Sequence, residues 1–157
     1  MSEAEQLTAL TRIHEFLERQ GIEYWLFGGW AVDFHAGSIT RSHDDVDVAV
    51  WAEDQNRIAA LLTADGWSHA PEAGEDGYAG YERRTVRLEL AFLARSEDGR
   101  VYTPLREGHA AWPDETFEND VAELGGVRAR VISLPGLKAD KAETRDDAAR
   151  RRLRFTA

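Results

Sequence analysis

A chain of 157 residues, 43% of them apolar and none of them cysteine, has the size of one domain with one core. It excludes disulfides, thiolate metal sites and cysteine nucleophiles. A formal net charge of −10 argues against a nucleic-acid partner, because binding phosphates calls for a basic face, and suits a cationic ligand better. No apolar run is long enough for a membrane span. The acidic start Met1-Ser2-Glu3-Ala4-Glu5 lacks the regions of a secretory signal, so the expected location is cytoplasmic.

In chain order, Leu7, Leu10, Ile13, Phe16 and Leu17 fall at helical spacing between Glu3 and Gln20, and Gly21 stands where a glycine stop belongs. Ile22 to Phe27 is an aromatic and β-branched run that predicts a strand, ended by Gly28-Gly29. A short helix is expected from Trp30 to about Ala36. Asp45 to Trp51 alternates strictly and predicts a second strand. Asp54 is placed to cap the following helix, whose apolar stripe is Ile58, Ala59, Leu61 and Leu62 and whose end is Gly66. Pro71 to Gly80, rich in glycine and acids, reads as a loop. Thr85 to Ala94 predicts a strand with Val86, Leu88, Leu90 and Phe92 on one face, and Arg95 to Asn119 is irregular. Val127 to Ile132 predicts a further strand. Ser133-Leu134-Pro135 then resembles the start of a helix running to about Arg154. Strands alternating with helices predict one layered domain over residues 1–157.

The chemistry concentrates in three places. Asp45 and Asp47, two apart on a strand, project side by side while Val46, Val48 and Val50 face a core. Two carboxylates this close repel unless a cation lies between them, and aspartate oxygens suit Mg²⁺, as one shared ion or a pair. An acidic edge strand in water is the competing reading. Gly28-Gly29, between a strand and a helix, lets the backbone approach a phosphate and offers it free N–H groups. Glu89 interrupts an otherwise hydrophobic strand on its polar face. It would join the two aspartates if the strands are neighbours, or else pair with Arg87 or Arg84.

Tyr24 to Asp33, with Gly28-Gly29 at its centre, followed by Thr40-Arg41-Ser42-His43-Asp44-Asp45-Val46-Asp47-Val48, resembles the small antibiotic nucleotidyltransferases of the lincosamide and aminoglycoside 2″ types. Both belong to the polymerase-β-like superfamily. The resemblance is densest over residues 22–51 and extends more weakly to the C-terminal helix.

It implies an α+β fold, a mixed sheet flanked by helices, with Asp45, Asp47 and Glu89 as metal-binding and catalytic carboxylates. Gly28 and Gly29 would cradle the triphosphate, joined by Arg41 and by His43 unless that residue only fixes the loop. Lys138 and Lys141, three apart on the last helix, are placed either to reach the triphosphate or to complement the helix dipole and solvent face. Asp33 is expected to steady the glycine loop. The implied reaction moves a nucleoside monophosphate from an NTP, with Mg²⁺, onto a hydroxyl of a small molecule, in a monomer or homodimer.

Acids at 72, 75, 76, 114, 115, 118 and 120, with Tyr78, Tyr81 and Trp112, are candidates to line an acceptor pocket. A catalytically silent nucleotide-binding module and an antitoxin-like enzyme acting on a protein partner are the alternative functions.

Overall fold

The computed structural model describes residues 2–118 and 121–140. Helix α1 (Glu3–Arg19) opens on a reciprocal cap: Glu5 N–H donates to Ser2 Oγ at 3.2 Å and Ser2 N–H donates to Glu5 Oε2 at 2.8 Å. It ends at Gly21, whose φ of 67° is the left-handed conformation a glycine stop requires. Leu10, Ile13, Phe16 and Leu17 form its buried stripe.

Strand β1 (Tyr24–Phe27) runs directly into α2 (Gly28–Ala36), then β2 (Asp45–Trp51), a 3₁₀ turn and α3 (Gln55–Ala64). The short β3 (Ser68–His69) precedes β4 (Tyr78–Arg83), β5 (Val86–Arg95), β6 (Val101–Pro104) and β7 (His109–Ala111). A separate hairpin, β8 (Val121–Leu124) and β9 (Val127–Arg130), is followed by helix α4 at residues 134–140.

The main sheet has the order β1-β2-β5-β4-β3, with β6 and β7 continuing from the far end of β5. β2 and β5 are parallel and the other pairings antiparallel, so the sheet is mixed, and helices flank it in the expected α+β layering. An isolated parallel bridge between Leu26 and Val131 ties the C-terminal segment to β1.

Period-two alternation gives the sheet two different faces. On one, Tyr24, Leu26, Val46, Val48, Val50, Leu88, Leu90 and Phe92 pack with α1 and α3 into the larger core. The other is graded along the strands. At one end Trp25, Ala49, Ala91 and Leu93 pack with Ile132 and Leu137, and at the other end stand Asp45, Asp47, Arg87 and Glu89.

The structure corrects several sequence expectations. α2 begins at Gly28 rather than Trp30, so both glycines lie in its first turn. Asp54 makes no capping hydrogen bond, because the 3₁₀ turn Ala52–Asp54 leads into α3 with the Asp54 backbone already helical. The stretch Pro71 to Gly80 includes the start of β4, and the irregular stretch contains β6 and β7, too short to show alternation. At the start of α4 the expectation holds: Ser133 Oγ accepts from Gly136 N–H at 3.2 Å. The part of that expected helix beyond residue 140, Lys141 included, lies outside the described residues. Among the described residues no helix is long and apolar enough to cross a membrane.

Candidate active site

The parallel register of β2 and β5 sets Asp47 directly opposite Glu89 and Asp45 opposite Arg87. The three acids thus share one sheet face, as the two aspartates must if both flanking strands alternate. They line a cavity of about 640 Å³ together with Glu72 and Asp140, and Phe27, Tyr78 and Trp112 form an aromatic part of its wall. The neighbouring negative charges leave a clear electrostatic mark. Burial, then Asp45, Glu89 and Asp140, push the Asp47 carboxyl up to about 7, against the opposing pull of Arg41. Asp45 and Glu89 are raised too, chiefly by burial, with Arg87 opposing in both cases.

The glycine pair is fixed by two independent constraints. Gly28 has a φ of 66°, and a Cβ there would overlap Asp47 Oδ2 and lie 2.9 Å from Asp47 Cγ. At Gly29 a Cβ would overlap the Arg41 guanidinium and stand 2.7 Å from His43 Nδ1. The loop backbone therefore sits directly on one of the two aspartates and on Arg41 and His43 from the segment that leads into β2.

Arg41 is exposed beside that backbone, whereas His43 is turned inward. Its Nε2 meets Asp33 Oδ2 at 2.5 Å and its ring stacks on Trp30 with centroids 4.3 Å apart. Asp33, fully buried at the other end of α2's first turns, also accepts from Thr40 Oγ1 at 2.5 Å. Burial alone would raise the Asp33 carboxyl, yet these hydrogen bonds hold it below the usual range. Asp33 is thus the partner of His43.

Lys138 is exposed on α4 and does not line the cavity, while Asp140 on the same helix does. Among the acceptor candidates, Glu72, Tyr78 and Trp112 line it. Tyr81 belongs to the core on the opposite face, because β4 alternates like its neighbours. The Glu75 carbonyl and the Asp76 carboxylate instead receive Arg106, through its Nη2 at 2.7 Å and its backbone N–H at 3.0 Å. Asp114, Glu115 and Glu118 border a different, smaller cavity of about 370 Å³, and Asp120 lies outside the described residues.

Two participants escaped sequence reasoning. Asp140 lies 51 residues beyond Glu89 with no local pattern to link them. Arg87 was visible only as one possible partner for Glu89, and the structure makes it that partner, with Nε 2.7 Å from Glu89 Oε1.

Whether a divalent cation suits this site follows from its donors. Asp45 and Asp47 offer hard oxygen ligands on one face, and their mutual repulsion is the kind a cation relieves. As the side chains stand, no group of three or more His, Cys, Asp or Glu among the described residues is arranged to hold a metal ion. The aspartate pair fits Mg²⁺ chemically; Glu89 is engaged elsewhere.

A curated 2″-aminoglycoside nucleotidyltransferase from Escherichia coli is 34% identical over 121 residues, 75% of this chain and 58% of that protein. The chain thus spans a little over half the length of the curated relative it matches. Among solved structures, ANT(2″)-Ia in complex with adenylyl-2″-tobramycin superposes with a TM-score of 0.73 at 20% identity, over 91% of this chain and 78% of the other. The lincosamide adenylyltransferase LnuA with lincomycin bound gives a TM-score of 0.71 at 20% identity, over 88% and 85% of the two chains. These two likenesses establish the nucleotidyltransferase fold. The profile of the aminoglycoside-2″-adenylyltransferase family matches residues 9–146, and the chain belongs to that family.

Proposed function

We propose that this protein is a Mg²⁺-dependent nucleotidyltransferase that moves AMP from ATP to a hydroxyl of a small cationic acceptor of the aminoglycoside type. The observation that carries the reading is the placement of Asp45, Asp47 and Glu89 on the floor of one cavity, with the Gly28 backbone resting on Asp47.

The residues divide the work as follows. N–H groups of the first turn of α2 bind the triphosphate, and Arg41 beside Gly29 adds positive charge to it. Asp45 and Asp47 would hold Mg²⁺, which when bound neutralises phosphate charge and polarises the phosphoryl oxygens. The acceptor oxygen attacks the α-phosphorus, a new P–O bond forms, the bond to the β-phosphate oxygen breaks and pyrophosphate leaves. Glu89 takes the hydroxyl proton, a role that its raised pKa favours. Positioning and charge complementarity supply most of the rate.

The acceptor assignment rests on the walls. Glu72 and Asp140 add negative charge to the cavity, which suits a polycation, and Phe27, Tyr78 and Trp112 offer apolar faces to a sugar ring. The curated relative acts at the 2″ position of aminoglycosides, and the present reading carries that to this chain.

The test has two stages. Titration of a non-hydrolysable ATP analogue should show Mg²⁺-dependent heat that disappears in Asp47→Asn. Pyrophosphate release should then require tobramycin or a related aminoglycoside more than lincomycin. Nucleotide binding with no turnover on any acceptor would favour the silent module, and turnover only with a co-purifying protein would favour the antitoxin-like enzyme. No binding of nucleotide under any condition would end the transferase reading.

A further inference from the structure

Arg87 is the side chain on which the third carboxylate, the cavity loop and the neighbouring strand converge. Its Nε donates to Glu89 Oε1 at 2.7 Å, and its Nη1 donates to the Ala70 carbonyl at 3.0 Å and to Glu82 Oε1 at 3.3 Å. Nη2 lies 3.4 Å from Glu72 Oε1, is buried, and has no hydrogen-bond acceptor among the described residues.

The guanidinium occupies a slot that exists because β4 carries glycine at position 80. A Cβ there would overlap Nη2 and stand 2.9 Å from the Ala70 oxygen. Glu72 and Glu82 are 62% and 56% exposed, so water screens their pairing, whereas Arg87 and Glu89 are each 14% exposed. The Glu89 contact is therefore the strong one. The protein thus keeps a fixed cation beside its own acidic cluster, on the strand position that faces Asp45.

We propose that Arg87 is a positioning residue that serves as the internal counter-ion of Glu89: it holds this carboxylate in the cation-free protein and gives it up when a divalent cation enters. The inference rests on the reading that Asp45 and Asp47 hold Mg²⁺, and it adds an order of events to that reading. On this proposal Mg²⁺ draws Glu89 in as a further ligand beside Asp45 and Asp47, which takes the carboxylate from Arg87 Nε, so the cation competes with the guanidinium. Competition lowers the apparent affinity by the fraction of molecules in which Glu89 is free. Once Glu89 turns away, Arg87 keeps only the Ala70 carbonyl and its screened partners. The hold on residues 70–77, which form part of the cavity wall through Glu72 and Gly77, is loosened in the same exchange.

The experiment is calorimetric titration of MgCl₂ into the full 157-residue chain without nucleotide, for wild type, Arg87→Gln, Arg87→Lys, Glu89→Gln and the Arg87→Gln/Glu89→Gln double variant. Arg87→Gln is expected to bind Mg²⁺ at least threefold more tightly than wild type, with Arg87→Lys in between. The gain should vanish in the Glu89→Gln background, because the competition needs that carboxylate. Amide hydrogen exchange over 70–77 should rise on Mg²⁺ addition in wild type and be already high in Arg87→Gln. Circular dichroism checks folding, and if Arg87→Gln does not fold, the Arg87→Lys comparison decides the matter. Unchanged or weaker Mg²⁺ binding in the Arg87 variants overturns the inference and leaves the metal reading standing. A wild type that binds no Mg²⁺ overturns both.

Discussion

Asp33 has no contact with solvent, and its two oxygens are taken by Thr40 and His43, so the residue under the glycine turn is a fully satisfied buried anion. Asp33→Ala would leave the buried His43 ring without its partner, while the exposed Thr40 hydroxyl turns to water, and chemical denaturation should show a loss of about 1–3 kcal/mol. The glycines above it tolerate no side chain. Gly29→Ala drives a methyl into Arg41 and His43, and is expected to cost about 1–3 kcal/mol of stability and to weaken ATP-analogue binding. A Gly29→Ala variant with wild-type affinity by calorimetry would show that the backbone there does not approach the phosphates. At the floor, Asp45→Asn and Asp47→Asn should each reduce turnover by at least about a hundredfold. The Asp47 change alone should raise the melting temperature of the cation-free protein, since it removes the most strained charge.

At the scale of elements, the N-terminal helix governs the active strand from a distance. Gln6 on α1 donates through Nε2 to Ser42 Oγ at 3.0 Å and accepts from His43 N–H at 2.6 Å, pinning the segment that delivers Asp45. Gln6→Ala should cost about 1–3 kcal/mol and raise the KM for ATP more than it lowers kcat, as steady-state kinetics would show. The same scale separates what the residues announced from what they concealed. Strict alternation in Asp45–Trp51 and Val86–Arg95 revealed both central strands, their core faces and the side on which the acids lie. β3, β6 and β7 have two to four residues each and lie on or near the sheet's margins, where neither burial nor alternation imposes a pattern. The placement of Asp140 beside Asp47 depends on a return of the chain along β1 that begins at the Leu26–Val131 bridge. Local periodicity cannot encode such a contact, and it left both roles of His43 open.

For the whole molecule, the buried acids make opposite contributions to stability as pH changes. Asp33, held below its ordinary value, stabilises the fold above that value, and the contribution is lost as pH falls into the acid range. Asp47, raised from 3.8 to about 7, adds no penalty below 3.8; the penalty grows as pH rises between these values and is complete above 7, at most about 4 kcal/mol. Denaturation of the cation-free protein should therefore show stability falling from pH 5 to 8, with a flatter profile in Asp47→Asn. Mg²⁺ should flatten it too and release protons near neutrality, measurable as a buffer-dependent heat. The parallel register of β2 and β5 has one more consequence, for how genes of this kind can change length. Moving β2 by a single position would set Asp47 beside a leucine and carry its carboxylate into the greasy side of the sheet, and moving β5 would do the same to Glu89. Codon insertions and deletions should thus be purged inside these two strands and accumulate between β3 and β4, and a library of single-codon indels screened for the nucleotidyl transfer proposed above would trace the sheet as a pair of silent gaps.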